Sequence, residues 1–228
     1  MTNALPPPFI LAIETSQREG SIALSLPHSI KVVPLHRDFG QYLVSQIQEL
    51  LVQEQISLSQ LSLIVLSAGP GSYTGLRIGF AIAMTFARIH HIPLRMVEST
   101  QVIAYNYQGP ATEIAIALDA RQKEYYFATY QKKETDWIPK ILLHLVTTVP
   151  FFEPCLGDYI QPPQGLPPQA QYLLSLGYQA FLQHGPTPLQ EIQPLYFRPT
   201  EAERRLQKKL TLSLPSPQAS ENKGNPPP

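Results

Sequence analysis

Apolar residues arrive in short blocks from residue 9 onward, and the spacing inside the blocks switches between two periods. Residues 9–14 and 20–26 are near-continuous apolar runs of strand length, parted by the polar turn Thr15, Ser16, Gln17, Arg18 and Glu19. Residues 30–35 read as a third strand. Leu43, Ile47, Leu50 and Leu51 then recur at helical spacing and predict a helix over 41–55. A short buried strand at 63–67, a helix at 73–89, a strand at 94–97 and a helix at 100–107 follow. That order (three strands, helix, strand, helix, strand) predicts an α/β domain built on a mixed sheet.

The second half restarts in the same way. Sliding the sequence by 105 residues lays Ala12 on Ala117, Glu14 on Asp119, Gln17 on Gln122, Arg18 on Lys123 and Glu19 on Glu124. Ile22 and Ala23 then fall on Phe127 and Ala128. Each half therefore opens with an apolar strand ending in a carboxylate, a polar turn and a second apolar strand. Strand–turn–strand units are common, but the shared carboxylate and the Gln-basic-Glu run favour an internal duplication. Two acid-tipped hairpins are the layout of the actin-like ATPase superfold (ASKHA, ribonuclease H-like), whose hairpins grip nucleotide phosphates in a cleft between the halves. The expected division is a flexible N-terminus at 1–8, a first subdomain at 9–108, a second at 109–199 and a proline-rich, disordered tail at 200–228.

Composition narrows the class. The 228 residues hold 17 Lys plus Arg against 17 Asp plus Glu, so there is no basic excess of the kind that holds nucleic acid unaided. One cysteine, Cys155, excludes an internal disulfide framework and a four-thiolate zinc site, and it fits a reducing compartment. The 24 prolines cluster at 6–8, 162–168, 186–199 and 215–228, so both ends read as solvated tails and 151–168 as an irregular connection. Arg204, Arg205, Lys208 and Lys209 are the basic cluster of the last tail, where a solvated role is preferred over RNA contact. Residues 1–8 carry no basic leader pattern, and no apolar run reaches the roughly 18 residues of a membrane span, so a soluble, cytoplasmic protein is expected.

The densest local signal is Gly69-Pro-Gly-Ser-Tyr-Thr-Gly75, followed by Leu76-Arg77-Ile78-Gly79, between a strand and a helix. Glycines there permit close backbone approach, and a helix N-terminus can receive an anion. Leu76-Arg77 stand where the Walker pattern needs Lys-Ser/Thr, and the glycine spacing also misses the dinucleotide fingerprint. The helix that follows sets Gly75, Gly79, Ala83 and Ala87 along one small strip and Ile78, Ile82, Phe86 and Ile89 along a bulky one. Arg77 and Arg88, about 20° apart in projection, mark a polar edge near Thr85. A helix apolar over so much of its circumference is covered on more than one side, either by its own chain or by another protein. Under the second reading the neighbouring helix 41–55 shares the surface, and a bulky Gly79→Leu or a charged Ile82→Asp is expected to break association while sparing the fold.

These residues resemble the bacterial TsaB family, also called YeaZ. The likeness runs through Ile10-Leu-Ala-Ile-Glu-Thr-Ser16, Ser67-Ala-Gly-Pro-Gly-Ser-Tyr-Thr-Gly-Leu-Arg-Ile-Gly79, Ala117-Leu-Asp-Ala-Arg121, Glu124-Tyr-Tyr-Phe127 and Pro194-Leu-Tyr-Phe-Arg198. The resemblance implies an actin-like fold of glycoprotease-type descent and a role in making N6-threonylcarbamoyladenosine (t6A) in tRNA. It implies a non-catalytic partner that binds the transferase TsaD, with the ATPase TsaE completing the assembly and tRNA met only through the complex. TsaC makes the threonylcarbamoyl adenylate in that scheme. It also implies self-pairing through the same helices, which assigns the interface to Leu43, Ile47, Leu50, Gly75, Arg77, Ile78, Gly79, Ile82 and Phe86. Phe39 departs from the family's usual histidine, and the 151–168 segment is shorter and richer in proline than usual.

Direct chemistry finds weaker support. None of the six histidines (His28, His36, His90, His91, His144, His184) forms the His-x-x-x-His pair of a metal-holding helix, so no metal site and no peptidase are expected. Glu14, Thr15, Ser16, Asp119 and Arg121 occupy the hairpin tips and are read as vestigial phosphate-loop positions, with Asp119 and Arg121 preferred as an ion pair or turn cap. The second tip lacks the glycines and hydroxyls that cradle phosphates, so no cofactor is expected. Ser72 and Cys155 have no base in evident reach and are read as structural. The alternatives left standing are an ATP-binding or ATP-hydrolysing enzyme and a glycoprotease-like peptidase.

Overall fold

A computed structural model describes residues 9–157 and 167–195. The expected flexible N-terminus at 1–8, the tail from Thr200, and Tyr196, Phe197 and Arg198 lie outside the described residues, as does 158–166 of the proline-rich connection.

The predicted mixed sheet is present. Strands β1 (Ile10–Glu14), β2 (Gly20–Leu26) and β3 (Ser29–Leu35) form an antiparallel meander. β4 (Leu63–Gly69) and β5 (Leu94–Glu98) add in parallel, giving the order β3-β2-β1-β4-β5. The parallel pairings require crossovers, which α1 (Leu43–Gln53) and α2 (Tyr73–His90) supply. Because strand side chains alternate, one face of the sheet presents Leu11, Ile13, Ile64 and Leu66 to Leu43, Ile47, Phe80 and Ala83 of these helices.

The opposite face carries Ile10, Ala12, Leu63 and Val65, and it is covered by a helix from far along the chain. This is α4 (Ala170–His184), whose Ala170, Leu173 and Leu174 are fully buried there. Ala170 N–H donates to Ser21 Oγ at 2.9 Å, fixing the start of α4 to β2. Gly177 lies so close to β4 that a Cβ would overlap the Val65 side chain. At the other end, Arg95 of β5 donates from Nη1 to the Gly185 carbonyl (3.3 Å), placing a cation at the helix C-terminus. The chain then lines the open edge of β5, with Thr187 N–H donating to the Leu94 carbonyl at 2.8 Å. Residues 170–184 thus belong to the expected second half by sequence and to the first sheet's core by packing.

α3 (Ser99–Asn106) leads into the second sheet, made of β6 (Glu113–Asp119), β7 (Tyr125–Lys133), β8 (Asp136–Val146) and the short β9 (Cys155–Leu156), in the order β8-β7-β6-β9. One face packs Ile114, Ile116, Ala128 and Tyr130 on Ile103 and Ala104 of α3. The Thr100 and Tyr130 hydroxyls, 2.9 Å apart, tie α3 to β7.

Both halves open with the expected hairpin, but the return strands differ in register. Glu14 pairs with Ser21 across the first turn, whereas Asp119 pairs with Tyr125, so the second turn is one residue shorter. Ala12 accordingly faces Ala23, while Ala117 faces Phe127 in place of Ala128. The repeat therefore matches β1 to β6 residue for residue and slips by one in β2 and β7. Arg121, Gln122 and Lys123, all left-handed with φ of 65°, 57° and 62°, make the tighter turn.

Candidate interaction face and cleft

The start of the first hairpin turn is sealed inside the protein, while Arg18 and Glu19 at its far side are exposed. Glu14, Thr15 and Ser16 have no solvent exposure. Ser16 N–H donates to Glu14 Oε1 at 2.7 Å. Glu14 Oε2, Thr15 Oγ1 and Ser16 Oγ are buried without a hydrogen-bond partner among the described residues. Removal from water pushes the Glu14 carboxyl above the ordinary carboxylate range, opposed in smaller measure by Ser16 and Ser67.

The glycine-rich segment does the sealing. Ser72 N–H donates to the Ser16 carbonyl at 2.6 Å, and the Ser72 hydroxyl caps α2 by accepting from Gly75 N–H at 3.2 Å. A Cβ on Gly75 would overlap the Thr15 carbonyl oxygen, and one on Gly79 would overlap Thr15 Oγ1. The small strip of α2 is thus the contact that lets the helix lie on the end of β1. Glu14, Thr15 and Ser16 lie beneath α2 and do not line a phosphate-binding cleft, which corrects their reading as phosphate-loop positions.

A cleft does separate the two tips. Its volume is about 760 Å³, and Gln17, Arg18, Ser72, Thr74, Asp119 and Arg121 are among its walls. Arg121 Nη1 lies 3.1 Å from Asp119 Oδ2, and Arg121 N–H donates to Asp119 Oδ1 at 2.7 Å, so this pair is the ion pair and turn cap expected of it. No group of three or more His, Cys, Asp or Glu side chains among the described residues could hold a metal ion. A second hollow of about 350 Å³ lies beside the first turn of α2, between Arg18, Arg37 and Ile78. Phe39 also lines it and is buried in the core, with its ring edge beneath Gly75. Cys155 is buried, and burial pushes its thiol up, so the thiolate that a nucleophile needs is disfavoured.

The two helices divide the nine predicted interface residues unequally. Leu43, Ile47 and Leu50 are buried against the sheet, and Gly75 and Gly79 face β1. These five hold the helices in place and offer no surface, because the side of α1 with the cleanest periodicity is the side that its own sheet demands. Gly79→Leu is therefore a folding variant, not a clean probe of association. Arg77 is exposed, and Ile78, Ile82 and Phe86 are half-buried with an outer side free. Ile89 (65%), already on the bulky strip in sequence, is exposed at the end of this row, and Val44 and Val52 (74%), exposed on α1, were missed from sequence. The signal of the two valines was apolar character on a side of α1 otherwise made of Ser45, Gln48 and Glu49.

Comparison with known proteins fits this geometry. A family model described as TsaD, tRNA N6-adenosine threonylcarbamoyltransferase, matches residues 32–144. The tRNA threonylcarbamoyladenosine biosynthesis protein TsaB of Escherichia coli (strain K12) is 32% identical over 131 residues, which is 55% of this chain and 56% of that protein. TsaB of Bacillus subtilis (strain 168) is 34% identical over 127 residues, 54% of this chain and 56% of that protein. The chain thus matches these curated relatives over about half their length. A solved Pseudomonas aeruginosa protein, described as similar to peptidase YEAZ, superposes with a TM-score of 0.72 at 24% identity, covering 83% of this chain and 99% of that one. YeaZ from Pseudomonas aeruginosa gives 0.71 at the same identity. Two hairpin-led mixed sheets flanked by helices define an actin-like α/β protein. Within that class the relatives it resembles are TsaB, or YeaZ, proteins.

Proposed function

We propose that the chain is a non-catalytic subunit in the making of N6-threonylcarbamoyladenosine in tRNA, docking on a TsaD-type transferase through the outer side of α1 and α2. The observation that carries the reading is the apolar row Ile78, Ile82 and Phe86 of α2, only half-buried, with Ile89 exposed at its end and Val44 and Val52 exposed on α1. Such a row on helices whose other side is fully packed is the mark of a protein contact. The family relatives named for threonylcarbamoyladenosine biosynthesis supply the pathway. The burial of Glu14, Thr15 and Ser16 beneath Gly71 and α2 supports a role without phosphate chemistry. TsaE joins as a third component, tRNA is met only through the complex, a second copy occupies the same face when the partner is absent, and the setting is the cytoplasm. No helix among the described residues is long and apolar enough to cross a membrane.

The test is co-elution and titration of the purified chain with the TsaD-type protein of the same cell. Ile82→Asp is expected to weaken association by at least about tenfold while the melting temperature stays close to wild type, since the side chain already reaches solvent. Retention of wild-type affinity overturns the interface. Titration of the isolated chain with ATP is expected to give no saturable signal.

A further inference from the structure

The most outward line of α2 runs through Arg77, Ala81, Thr85 and Arg88, which share one side at about 100° per residue, and all four are exposed. The two arginines stand about 16 Å apart along the axis, with only small side chains between them. α2 contains no carboxylate. None of the ion pairs among the described residues involves Arg77 or Arg88. Arg77 is already oriented: its guanidinium lies 5.3 Å from the Tyr73 ring centroid, and Nη1 donates to the phenol oxygen at 2.9 Å. The nearby α1 adds one exposed carboxylate, Glu49, to which Gln46 Nε2 donates at 3.0 Å. The face is therefore apolar with a cationic ridge, on a protein whose net charge is zero.

We propose that this ridge selects a partner chain presenting two carboxylates about 16 Å apart beside an apolar helical surface, and that the same charges work against a second copy of this chain. The inference rests on the α1–α2 face being the partner interface. In an antiparallel twofold pairing centred between Ala81 and Thr85, Arg77 of each copy meets Arg88 of the other. Neither α2 has an acid to place between them, so two like-charge contacts form at once. With an acidic partner the same positions become two ion pairs beside an apolar contact, where arginine is favoured over lysine because its planar fork meets a carboxylate in two bonds. Self-pairing is thus held weak and yields to the partner.

Opposite salt responses test this. Light scattering of the full chain alone, and titration against the TsaD-type protein, are each run at low and high sodium chloride. Self-association is expected to tighten with salt, and partner affinity to fall about tenfold over the same range, because screening relieves repulsion and attraction alike. Arg77→Glu is expected to produce dimers at concentrations where wild type is monomeric and to weaken the partner complex about tenfold, while Arg77→Lys keeps partner binding in large part. Self-association that loosens with salt, an Arg77→Glu variant that dimerises no better than wild type, or a partner affinity blind to both salt and Arg77→Glu overturns the charge argument. A wild-type chain that never binds the TsaD-type protein overturns the interface reading instead, and the salt response of self-association still decides the role of the arginines.

Discussion

Glu14 ends β1 with its carboxyl out of water, one oxygen accepting from Ser16 N–H and the other unpartnered among the described residues. Burial penalises the anion, so the folded-state pKa lies above that of the unfolded chain. The sign follows from linkage: the stabilisation from this group is complete below the unfolded carboxylate pKa and is lost as pH rises through the raised folded value. Glu14→Gln keeps an acceptor for the Ser16 amide and removes the charge. Urea unfolding across pH is expected to show the variant more stable than wild type by about 1–3 kcal/mol on the alkaline side, with a flatter profile. A variant weaker than wild type there, or a profile of unchanged slope, would show that the carboxylate is stabilised by something other than the groups around it. The position was legible in sequence as an acid ending a strand and was read as a vestigial phosphate-loop position, whereas it is covered by α2. A carboxylate at a strand end looks the same in sequence whether the Gly69–Gly75 loop closes over it or leaves it open.

At the level of elements, α2 on the tip of β1 is the contact that organises the first half. Gly79 stands where a methyl would overlap Thr15 Oγ1, a buried oxygen without a partner. Alanine is the better helix former by about 1 kcal/mol, so a net loss on Gly79→Ala isolates the overlap from propensity. Thermal or urea unfolding is expected to show a loss of about 1–2 kcal/mol, and Thr15→Ala combined with Gly79→Ala to be less destabilised than the two changes summed. Strict additivity would mean that the helix sits elsewhere. The strands and helices of the first half were legible because their apolar runs have clean periods. What Leu43, Ile47 and Leu50 could not reveal is which neighbour they face, since periodicity marks an apolar side without saying whose. The true outer apolar positions, Val44 and Val52, interrupt a polar face and carry no period. The second turn was read with one residue too many because Gln122, Lys123 and Glu124 match the first turn in type, while the left-handed backbone at 121–123 shortens the loop.

For the molecule as a whole, the closing of the first sheet by α4 is the dominant long-range event. Ala170, Leu173, Leu174 and Leu176 are buried against Ile10, Ala12, Leu63 and Val65. Three buried leucines at about 1.5–3 kcal/mol each are comparable with the 5–15 kcal/mol that separates folded from unfolded states. A chain ended before residue 167 is therefore expected to be unfolded or aggregated. Circular dichroism with light scattering checks this, and a cooperative, monomeric melt would contradict the weight given to α4. The division into an early and a late half, visible in the repeated hairpin, did not reveal this return, because nothing in the pattern of residues 170–184 names the sheet that they cover. During synthesis on the ribosome, β1 to β5 leave the exit tunnel with Ile10, Leu63 and Val65 uncovered, and they stay so until α4 itself emerges more than seventy residues later. Those strands must wait for residues 170–184 to be made, and any pause or chaperone hand-off between β5 and α4 acts on a half-clad sheet.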